Sequence, residues 1–435
     1  MSVQATTPEP AVLAANFADA HPPLTPAQAA VEADRCYFCH DAPCVEACPT
    51  GIDVPGFIRS IGTGNLRGAA MAILQENIFG GSCGRVCPTE VLCERACVRN
   101  AEEDRPIRIG ALQRHATDWL MERDPAPFVR AAPAPGWVAV VGAGPAGLSC
   151  AHRLALLGHA VVVFEAKSKP GGLNEYGIAA YKMADDFAQR EAAFVLSVGG
   201  IEVEYDCRLG QDVTLADLRA NHDAVFLACG QAGVRALAVE GETLPGVVDA
   251  VMFIAGLRQA ADKASIAVGR RVVVIGGGNT AIDAAVQARR LGAEDVAIAY
   301  RRGPEAMSAT AKEQAWAREH GVRFLHWARP VALVAEAGAI AGVAFQDARS
   351  GETYALPADL VLKAVGQIMV PEPAAGVAVE AARIVVDGEG RTSVPGVYAG
   401  GDCTPGPDLT VQAVQDGKRA AEAIHRDLIG AAWPS

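Results

Sequence analysis

Eight of the twelve cysteines lie between residues 36 and 97, close enough together to serve as a ligand set. They form two runs, Cys36-x2-Cys39-x4-Cys44-x3-Cys48-Pro49 and Cys83-x3-Cys87-x5-Cys93-x3-Cys97. A 4Fe-4S cube binds thiolates on four separate irons and tolerates uneven gaps, and a proline after the fourth cysteine is typical of ferredoxins. In those proteins the fourth cysteine ligates the other of two clusters. The spacing therefore predicts two 4Fe-4S clusters.

Zinc sites and disulfides are two other uses of closely spaced cysteines. Structural zinc sites also use closely spaced cysteines, so a zinc site remains an alternative to an iron-sulfur cluster. Disulfides need an oxidising compartment, and the first residues do not read as a charged-then-apolar export leader, so disulfides are not expected. The four cysteines outside the two runs are scattered singly, at Cys150, Cys207, Cys229 and Cys403.

A glycine-rich turn follows the apolar run Val138 to Val141. The turn reads Gly142-Ala143-Gly144-Pro145-Ala146-Gly147, and a helical stretch, a second apolar run at 160–164 and then Glu165 follow it. In such a unit the first glycine permits the turn, the second lets the backbone approach a pyrophosphate, and the third lets helix pack on strand. Glu165 stands where an acid accepts ribose hydroxyls. This order predicts a dinucleotide site.

A second copy of the same pattern begins at Arg271. An apolar strand leads into Gly276-Gly277-Gly278-Asn279-Thr280, and a helix and the strand 296–300 follow. Two sites imply two dinucleotides, and a flavin with a nicotinamide on paired Rossmann units is the arrangement that passes a hydride between them. A late turn ending in Gly401-Asp402 completes the first unit, and the helix that opens at Thr410 directs its positive end toward the flavin.

The elements that position these residues divide the chain into three predicted domains. The fold class is α/β, with two Rossmann-like domains, for FAD and NAD, preceded by an α-helical double 4Fe-4S domain. The helical domain covers residues 1–130, the split FAD domain covers 131–250 and 371–435, and the NAD(P) domain covers 251–370. A net charge of −12 argues against a nucleic-acid surface. No apolar run is long enough to span a bilayer, so the expected location is cytoplasmic.

From about Arg35 onward the chain resembles the flavin- and nicotinamide-binding subunits of bacterial dihydropyrimidine dehydrogenases. The glutamate synthase small subunits and an NADH-dependent ferredoxin:NADP oxidoreductase subunit share this architecture. Two local features favour the dehydrogenases, namely the gap from Pro88 to Leu92 and a glutamine, Gln113, where both rival families have glutamate.

The resemblance implies a ligand set for each cluster. One cluster is expected on Cys36, Cys39, Cys44 and Cys97, and the other on Cys48, Cys87, Cys93 and Gln113. Cys83 is then not a ligand.

The resemblance also implies dinucleotide contacts. FAD is expected on Gly142, Gly144, Pro145, Ala146, Gly147, Glu165, Gly172, Leu173, Lys182, Gly401, Asp402 and Thr410. The nicotinamide dinucleotide is expected on Gly276, Gly277, Gly278, Asn279, Thr280, Arg301, Arg302, Ala364 and Gly366. Arg301 and Arg302 suit a 2′-phosphate, whereas Ser308 stands where an NADPH-using relative has a third basic residue, so NADH is the predicted donor.

The implied function is electron input from NADH through FAD and the clusters, with no catalytic acid or base. The implied partner is an FMN- and iron-sulfur-containing barrel subunit that reduces uracil and thymine, because this chain has no room for a barrel of about 250 residues. A disulfide reductase would need a close cysteine pair beside the flavin, and the four scattered cysteines are too far apart in sequence to predict one. A non-catalytic iron-sulfur scaffold would leave both dinucleotide sites unused.

Overall fold

A computed structural model describes residues 3–369 and 376–431. Contacts divide the chain into two compact units. The smaller unit comprises Met1–Ala20, Glu175–Asp185 and Gly233–Ile368, and the larger unit comprises His21–Asn174, Asp186–Ala232 and Met369–Ser435.

Helices occupy the first part of the described chain, helices and strands are mixed from residue 137 to residue 326, and strands follow up to the last helix. The helices are α1 (Pro10–Asn16), α2 (Pro26–Asp34), α3 (Pro43–Glu46), α4 (Val54–Gly62), α5 (Leu66–Glu76), α6 (Gly80–Val86), α7 (Arg99–Glu103), α8 (Ile109–Arg123), α9 (Pro145–Leu156), α10 (Leu173–Tyr176), α11 (Phe187–Leu196), α12 (Leu215–Asn221), α13 (Ala250–Gln259), α14 (Asn279–Arg290), α15 (Ala311–Glu319) and α16 (Thr410–Ala431). The strands are β1 (Trp137–Val141), β2 (Ala160–Phe164), β3 (Ile201–Glu204), β4 (Ala224–Leu227), β5 (Gly233–Val234), β6 (Val247–Asp249), β7 (Arg271–Ile275), β8 (Asp295–Tyr300), β9 (Arg323–His326), β10 (Ala328–Glu336), β11 (Ala339–Asp347), β12 (Thr353–Pro357), β13 (Leu360–Lys363), β14 (Gln367–Ile368), β15 (Val379–Glu380), β16 (Arg383–Ile384) and β17 (Val397–Ala399).

The larger unit begins with helices. Thr25 caps α2 through a reciprocal capping box with Gln28, and Pro26 at the first helical position costs no backbone hydrogen bond. On α4 the side chains of Phe57, Ile58 and Ile61 are buried at helical spacing. They pack with α5 and α8 into an apolar core that holds the cysteine-bearing segments on its surface.

The larger unit continues as a parallel sheet in the order β17-β4-β1-β2-β3. Its central strands are continuous apolar runs because both faces of a parallel sheet are covered. The last strand, β17, pairs with β4, so the late segment completes the sheet that β1 began. The carboxyl ends of β1, β2, β4 and β17 lie at one edge, which is where a doubly wound sheet binds its ligand.

The smaller unit contains a second parallel sheet in the order β6-β13-β7-β8-β9 and an antiparallel sheet β10-β11-β12. Residues 233–250, which the sequence analysis assigned to the flavin domain, lie in this unit. The reason is β6, whose apolar residues pair with β13 of the second sheet. The segment has no glycine motif of its own, so its sheet cannot be read from local sequence.

Candidate functional site

Four cysteines surround one cavity in the larger unit. Cys36, Cys39, Cys44 and Cys97 line one small pocket whose walls are otherwise mostly apolar. Burial, followed by the charges of Cys97 and Cys36, raises the pKa of the Cys44 thiol to about 12. Four thiols in such a place ionise together only when a metal centre supplies positive charge. The donor set therefore fits an iron-sulfur cluster.

A second set of sulfur atoms lies nearby. Cys93 is partly buried, and the charges of Glu94 and Cys48 add to burial in raising the pKa of its thiol. Among the described residues, no three His, Cys, Asp or Glu side chains lie close enough to hold one metal ion. A cube makes a different demand, because its four ligands bind four different irons.

Cys83 lies beside Cys87, whereas the Gln113 side chain contacts the first residue of α6. The Gln113 side chain is buried on α8 and its Nε2 donates to the carbonyl oxygen of Gly80 at 2.7 Å, which fixes the amide plane. Cys83 is buried on α6, where its thiol hydrogen-bonds with that of Cys87 and accepts from Asn77 Nδ2 at 3.2 Å. The choice of Gln113 over Cys83 as the fourth ligand therefore stays a prediction.

We expect Cys83→Ala to retain both clusters and Gln113→Leu to alter one. Leu has nearly the volume of Gln but no oxygen to give to iron, and a changed ligand changes the potential of the cluster. Electron paramagnetic resonance of the reduced protein measures this, with Gln75→Leu on the exposed face of α5 as the control. Loss of a cluster signal in the Cys83 variant, with Gln113→Leu unchanged, would reverse the assignment.

The turn after β1 has the shape that a dinucleotide needs. Gly142 has a φ of +101°, in the region that favours glycine, and a Cβ on Gly147 would lie 1.9 Å from the Gly142 oxygen. Gly144 caps α9 and Pro145 starts it. The helix therefore begins at the carboxyl end of β1, with its free N–H groups and positive dipole end directed at the turn.

Glu165 closes the turn from the end of β2. Its two oxygens accept from the N–H groups of Ala143 at 2.7 Å and Lys167 at 2.9 Å. Burial raises the pKa of this carboxyl, and the two backbone donors oppose that rise. Each oxygen retains a lone pair, so the carboxylate can also accept ribose hydroxyls.

Other predicted flavin residues converge on the same turn. A Cβ on Gly172 would lie 2.7 Å from the Cα of Gly144, and one on Gly401 would lie 2.8 Å from the Cβ of Ala146. Burial raises the pKa of Asp402 to about 6. The Thr410 hydroxyl donates to Asn174 Oδ1 at 3.1 Å where α16 begins. Leu173 starts α10 beside Gly172. The close backbone approaches leave a cradle that fits a pyrophosphate.

The turn after β7 repeats this geometry in the smaller unit. Gly276 has a φ of +150°, and a Cβ there would lie 2.2 Å from the oxygen of Ala364. Gly278 caps α14, which Asn279 and Thr280 begin. Gly366 has a φ of +105°. These residues fit the predicted nicotinamide dinucleotide.

The residues that would discriminate between NADH and NADPH follow β8. Arg301 and Arg302 are both exposed, and Arg302 Nε donates to the hydroxyl of Tyr300 at 3.0 Å. A Cβ on Gly278 would lie 3.3 Å from the hydroxyl of Ser308, which places Ser308 over the glycine turn. A longer basic side chain at 308 would thus start beside the dinucleotide.

Lys182 lies in the smaller unit with two carboxylate partners. Its Nζ is 2.8 Å from Asp283 Oδ1 and 2.8 Å from Glu313 Oε2, and its side chain is 10% exposed. Sequence reasoning predicted the flavin contact but not this ion-pair triad. Its contact with flavin stays a prediction.

Two charged residues of the larger unit were missed by sequence reasoning. Lys418 on α16 donates to the carbonyl oxygens of Thr50 and Glu76 at 3.2 Å each. The Thr50 hydroxyl is 3.3 Å from the sulfur of Cys48. Lys418 therefore links α16 to the segment that carries Cys48.

Glu191 on α11 is buried and binds Ser82 on α6. Both pairs are distant in sequence and carry no local signal.

Comparisons with known proteins agree with this geometry. Residues 13–125 match the family described as dihydropyrimidine dehydrogenase domain II, 4Fe-4S cluster. Residues 137–417 match pyridine nucleotide-disulphide oxidoreductase. These matches confirm 4Fe-4S clusters, FAD and a nicotinamide dinucleotide as the cofactors, and the α/β fold. In the described residues no helix has the length and apolarity needed to cross a membrane.

Curated relatives and solved structures extend the comparison. The NAD-dependent dihydropyrimidine dehydrogenase subunit PreT of Salmonella typhimurium is 35% identical over 94% of this chain and 96% of its own. The glutamate synthase [NADPH] small chain of Escherichia coli is 33% identical over 94% and 93%. Thioredoxin reductase of T. acidophilum, at 24% identity, superposes with a TM-score of 0.56 over 68% of this chain and 99% of its own. The structural likeness concerns the fold alone.

Proposed function

We infer the role of this chain from its family, because it belongs to the group that contains the PreT subunits of dihydropyrimidine dehydrogenase and the glutamate synthase small chains. It is an oxidoreductase with iron-sulfur, flavin and nicotinamide cofactors. We propose that it is the electron-input subunit of an NAD-dependent dihydropyrimidine dehydrogenase. In that role it takes electrons from NADH and delivers them to a partner FMN subunit that reduces uracil and thymine to 5,6-dihydropyrimidines.

The observation that supports the proposal is that two glycine turns shaped for dinucleotides share one chain with a pocket lined by four cysteines, in a region that matches a 4Fe-4S family. When bound, the flavin takes up a hydride as an electron pair and passes the electrons on singly, since a cluster accepts one at a time. The turns at Gly142 and Gly276 would hold the two pyrophosphates, and Glu165 would orient the ribose of the flavin nucleotide. The transfer needs no proton donor or acceptor from the chain, in keeping with the predicted absence of a catalytic acid or base.

The proposed donor is NADH. Arg301 and Arg302 supply two positive charges, but Ser308 supplies none beside the glycine turn. One missing charge-assisted contact is worth about 1.5 to 3 kcal/mol, which is enough for a preference of about tenfold or more.

We expect the purified chain to oxidise NADH with ferricyanide as acceptor, without any oxidation that depends on uracil. Uracil-dependent oxidation should appear when the FMN barrel subunit is added. The value of kcat/KM for NADH should exceed that for NADPH by about tenfold, which is about 1.4 kcal/mol. Steady-state assays with each dinucleotide measure both effects.

Each outcome has a distinct meaning. Uracil-dependent oxidation by the chain alone would disprove the subunit role. Activity with a glutamate synthase large subunit, but none with the barrel subunit, would favour the glutamate synthase relatives as the functional guide. A preference for NADPH would show that Arg301 and Arg302 suffice to bind the 2′-phosphate.

A further inference from the structure

Two cysteines that are far apart in sequence meet in the flavin-binding part of the larger unit. Strands β4 and β17 pair in parallel, with Leu227 opposite Ala399. Cys229 follows the end of β4, and Cys403 follows the end of β17. The Cys403 sulfur lies 3.5 Å from the carbonyl oxygen of Leu227 and 3.3 Å from that of Gly400. Sequence spacing had argued against a close cysteine pair here, and sheet topology supplies one.

The two thiols are in direct contact. They are joined by a hydrogen bond and pack in one apolar cluster with Val141 and Leu227. The hydrogen bond from Cys229 lowers the pKa of the Cys403 thiol, against the effect of burial. The thiolate is the reactive form of a cysteine, so the contact favours reaction at Cys403. Neither residue belongs to the predicted cluster ligands.

Access to the pair is uneven. Cys403 is fully buried, whereas Cys229 is half-buried. Because only Cys229 retains some exposure, we expect the pair to react with an oxidant as small as hydrogen peroxide and not with a protein or a bulky thiol. Buried cysteines with no neighbouring thiol, such as Cys150, have no partner with which to form a bond.

The pair adjoins the turn that fits the flavin pyrophosphate. A Cβ on Gly142 would lie 2.4 Å from the oxygen of Ala228 and 3.7 Å from the Cα of Cys229. Cys403 directly follows Gly401 and Asp402, which are both predicted flavin residues. A covalent bond between the two sulfurs would therefore fasten together two segments that border the flavin cradle.

We propose that Cys229 and Cys403 form a reversible disulfide in response to hydrogen peroxide, and that this bond fastens β17 to β4 beside the flavin. The O–O bond of the peroxide breaks and an S–S bond forms. The two sulfurs together lose two electrons, which reduce the peroxide, and the two thiol protons end on two water molecules. A dithiol reductant reverses the reaction by thiol–disulfide exchange.

The disulfide restricts the unfolded chain and the separation of two strands that close the flavin sheet. The oxidised protein should therefore melt at a higher temperature than the reduced protein. It should also lose flavin more slowly on dilution, because Gly401 and Asp402 stay fixed to the end of β4.

The test uses the complete protein with its clusters and flavin. The protein is treated anaerobically with one equivalent of hydrogen peroxide and then alkylated with iodoacetamide. Its proteolytic peptides are then mass-mapped without reduction. We expect one cross-linked species that joins the Cys229 and Cys403 peptides, two hydrogen masses lighter than their sum, and its disappearance after dithiothreitol. Cluster absorbance is recorded in parallel.

Variants separate the pair from the other cysteines. Cys207→Ser, at a partly exposed cysteine outside both runs, should retain the cross-link and the rise in melting temperature. Cys229→Ser should abolish both. If that variant does not fold, the peptide map and the melting curves of the wild-type protein are sufficient to test for the disulfide.

Three outcomes would overturn the proposal. In the first, Cys229 and Cys403 are both recovered alkylated after peroxide. In the second, the cross-link forms only in the fraction that has lost its clusters. In the third, the cross-link forms but neither the melting temperature nor the flavin release rate changes, which would leave a bond without a fastening role. None of these results bears on uracil-dependent NADH oxidation. The proposed function is therefore tested separately.

Discussion

The substitution Gly147→Ala is expected to destabilise the larger unit by about 4 kcal/mol or more, which is at the upper end for a single change. The added Cβ would lie 1.9 Å from the Gly142 carbonyl oxygen, and no real Cβ contact is so short. The obstacle is backbone, so it cannot rotate aside as a side chain would. Helix α9 must then move away from β1, and the flavin cradle opens. Flavin content and thermal unfolding measure the loss.

A matched control exists in α13. Gly256 is also a helical glycine, but a Cβ there meets nothing within 4 Å. Gly256→Ala should therefore stabilise the protein by roughly 0.5 to 1 kcal/mol, because alanine loses less backbone freedom on folding. Normal flavin content in Gly147→Ala would mean that the turn and helix are not packed as the structure has them.

The second large effect concerns Glu191. This carboxyl is buried, accepts from the Ser82 backbone N–H at 2.8 Å and bonds to the Ser82 hydroxyl. Burial raises its pKa from 4.5 to about 7, and the bonds from Ser82 and the charge of Arg85 only partly oppose the rise, while Asp118 adds to it. The folded state therefore holds this proton more tightly than the unfolded state does.

The sign of the pH dependence follows from the raised pKa. The stabilising contribution is fully present below about pH 4.5 and is lost as the pH rises through about 7. Glu191→Gln removes the charge and retains an acceptor for the Ser82 N–H. The variant should be more stable than the parent at pH 8 by about 3 kcal/mol. This value follows from the rise in pKa from 4.5 to about 7, at about 1.4 kcal/mol for each pKa unit.

Urea unfolding between pH 5 and pH 8 checks this result. The parent should lose stability over that interval relative to Glu191→Gln. Glu202→Gln, at an exposed position on β3, serves as the control and should stay within about 0.5 kcal/mol of the parent at every pH. A variant less stable than the parent at pH 8 would show that the Ser82 bonds outweigh burial.

Local sequence was sufficient for the glycine turns. Each has its own strand, glycine spacing and helix within about 30 residues, and the geometry of the turn dictates those residue types. Three cysteines of the first group were also predictable, because the short spacing of Cys36, Cys39 and Cys44 keeps them close together along the chain. The fourth member, Cys97, came only from family resemblance, since its distance along the chain carries no signal.

Contacts between distant segments were not predictable. Glu191 and Ser82 meet because α11 packs on α6, and the sequence of neither helix predicts that contact. Cys229 and Cys403 meet because β17 pairs with β4, although their separation in sequence had argued against a pair. In the same way, β6 belongs to the second sheet through its pairing with β13. Such contacts depend on topology, whereas sequence patterns report periodicity and turns.

The position of β17 at the edge of the first sheet has a consequence for how the molecule is made. Strands β1 to β4 leave the ribosome early, but the strand that covers β4 comes after the whole smaller unit. Until then the apolar β4, fully buried in the finished protein, presents an open edge to which other chains can add. Gly401 and Asp402 emerge later still. Since both are predicted flavin contacts, we expect flavin capture to be a late event of biosynthesis, and the nascent chain depends on protection of that edge from the synthesis of β4 to that of β17.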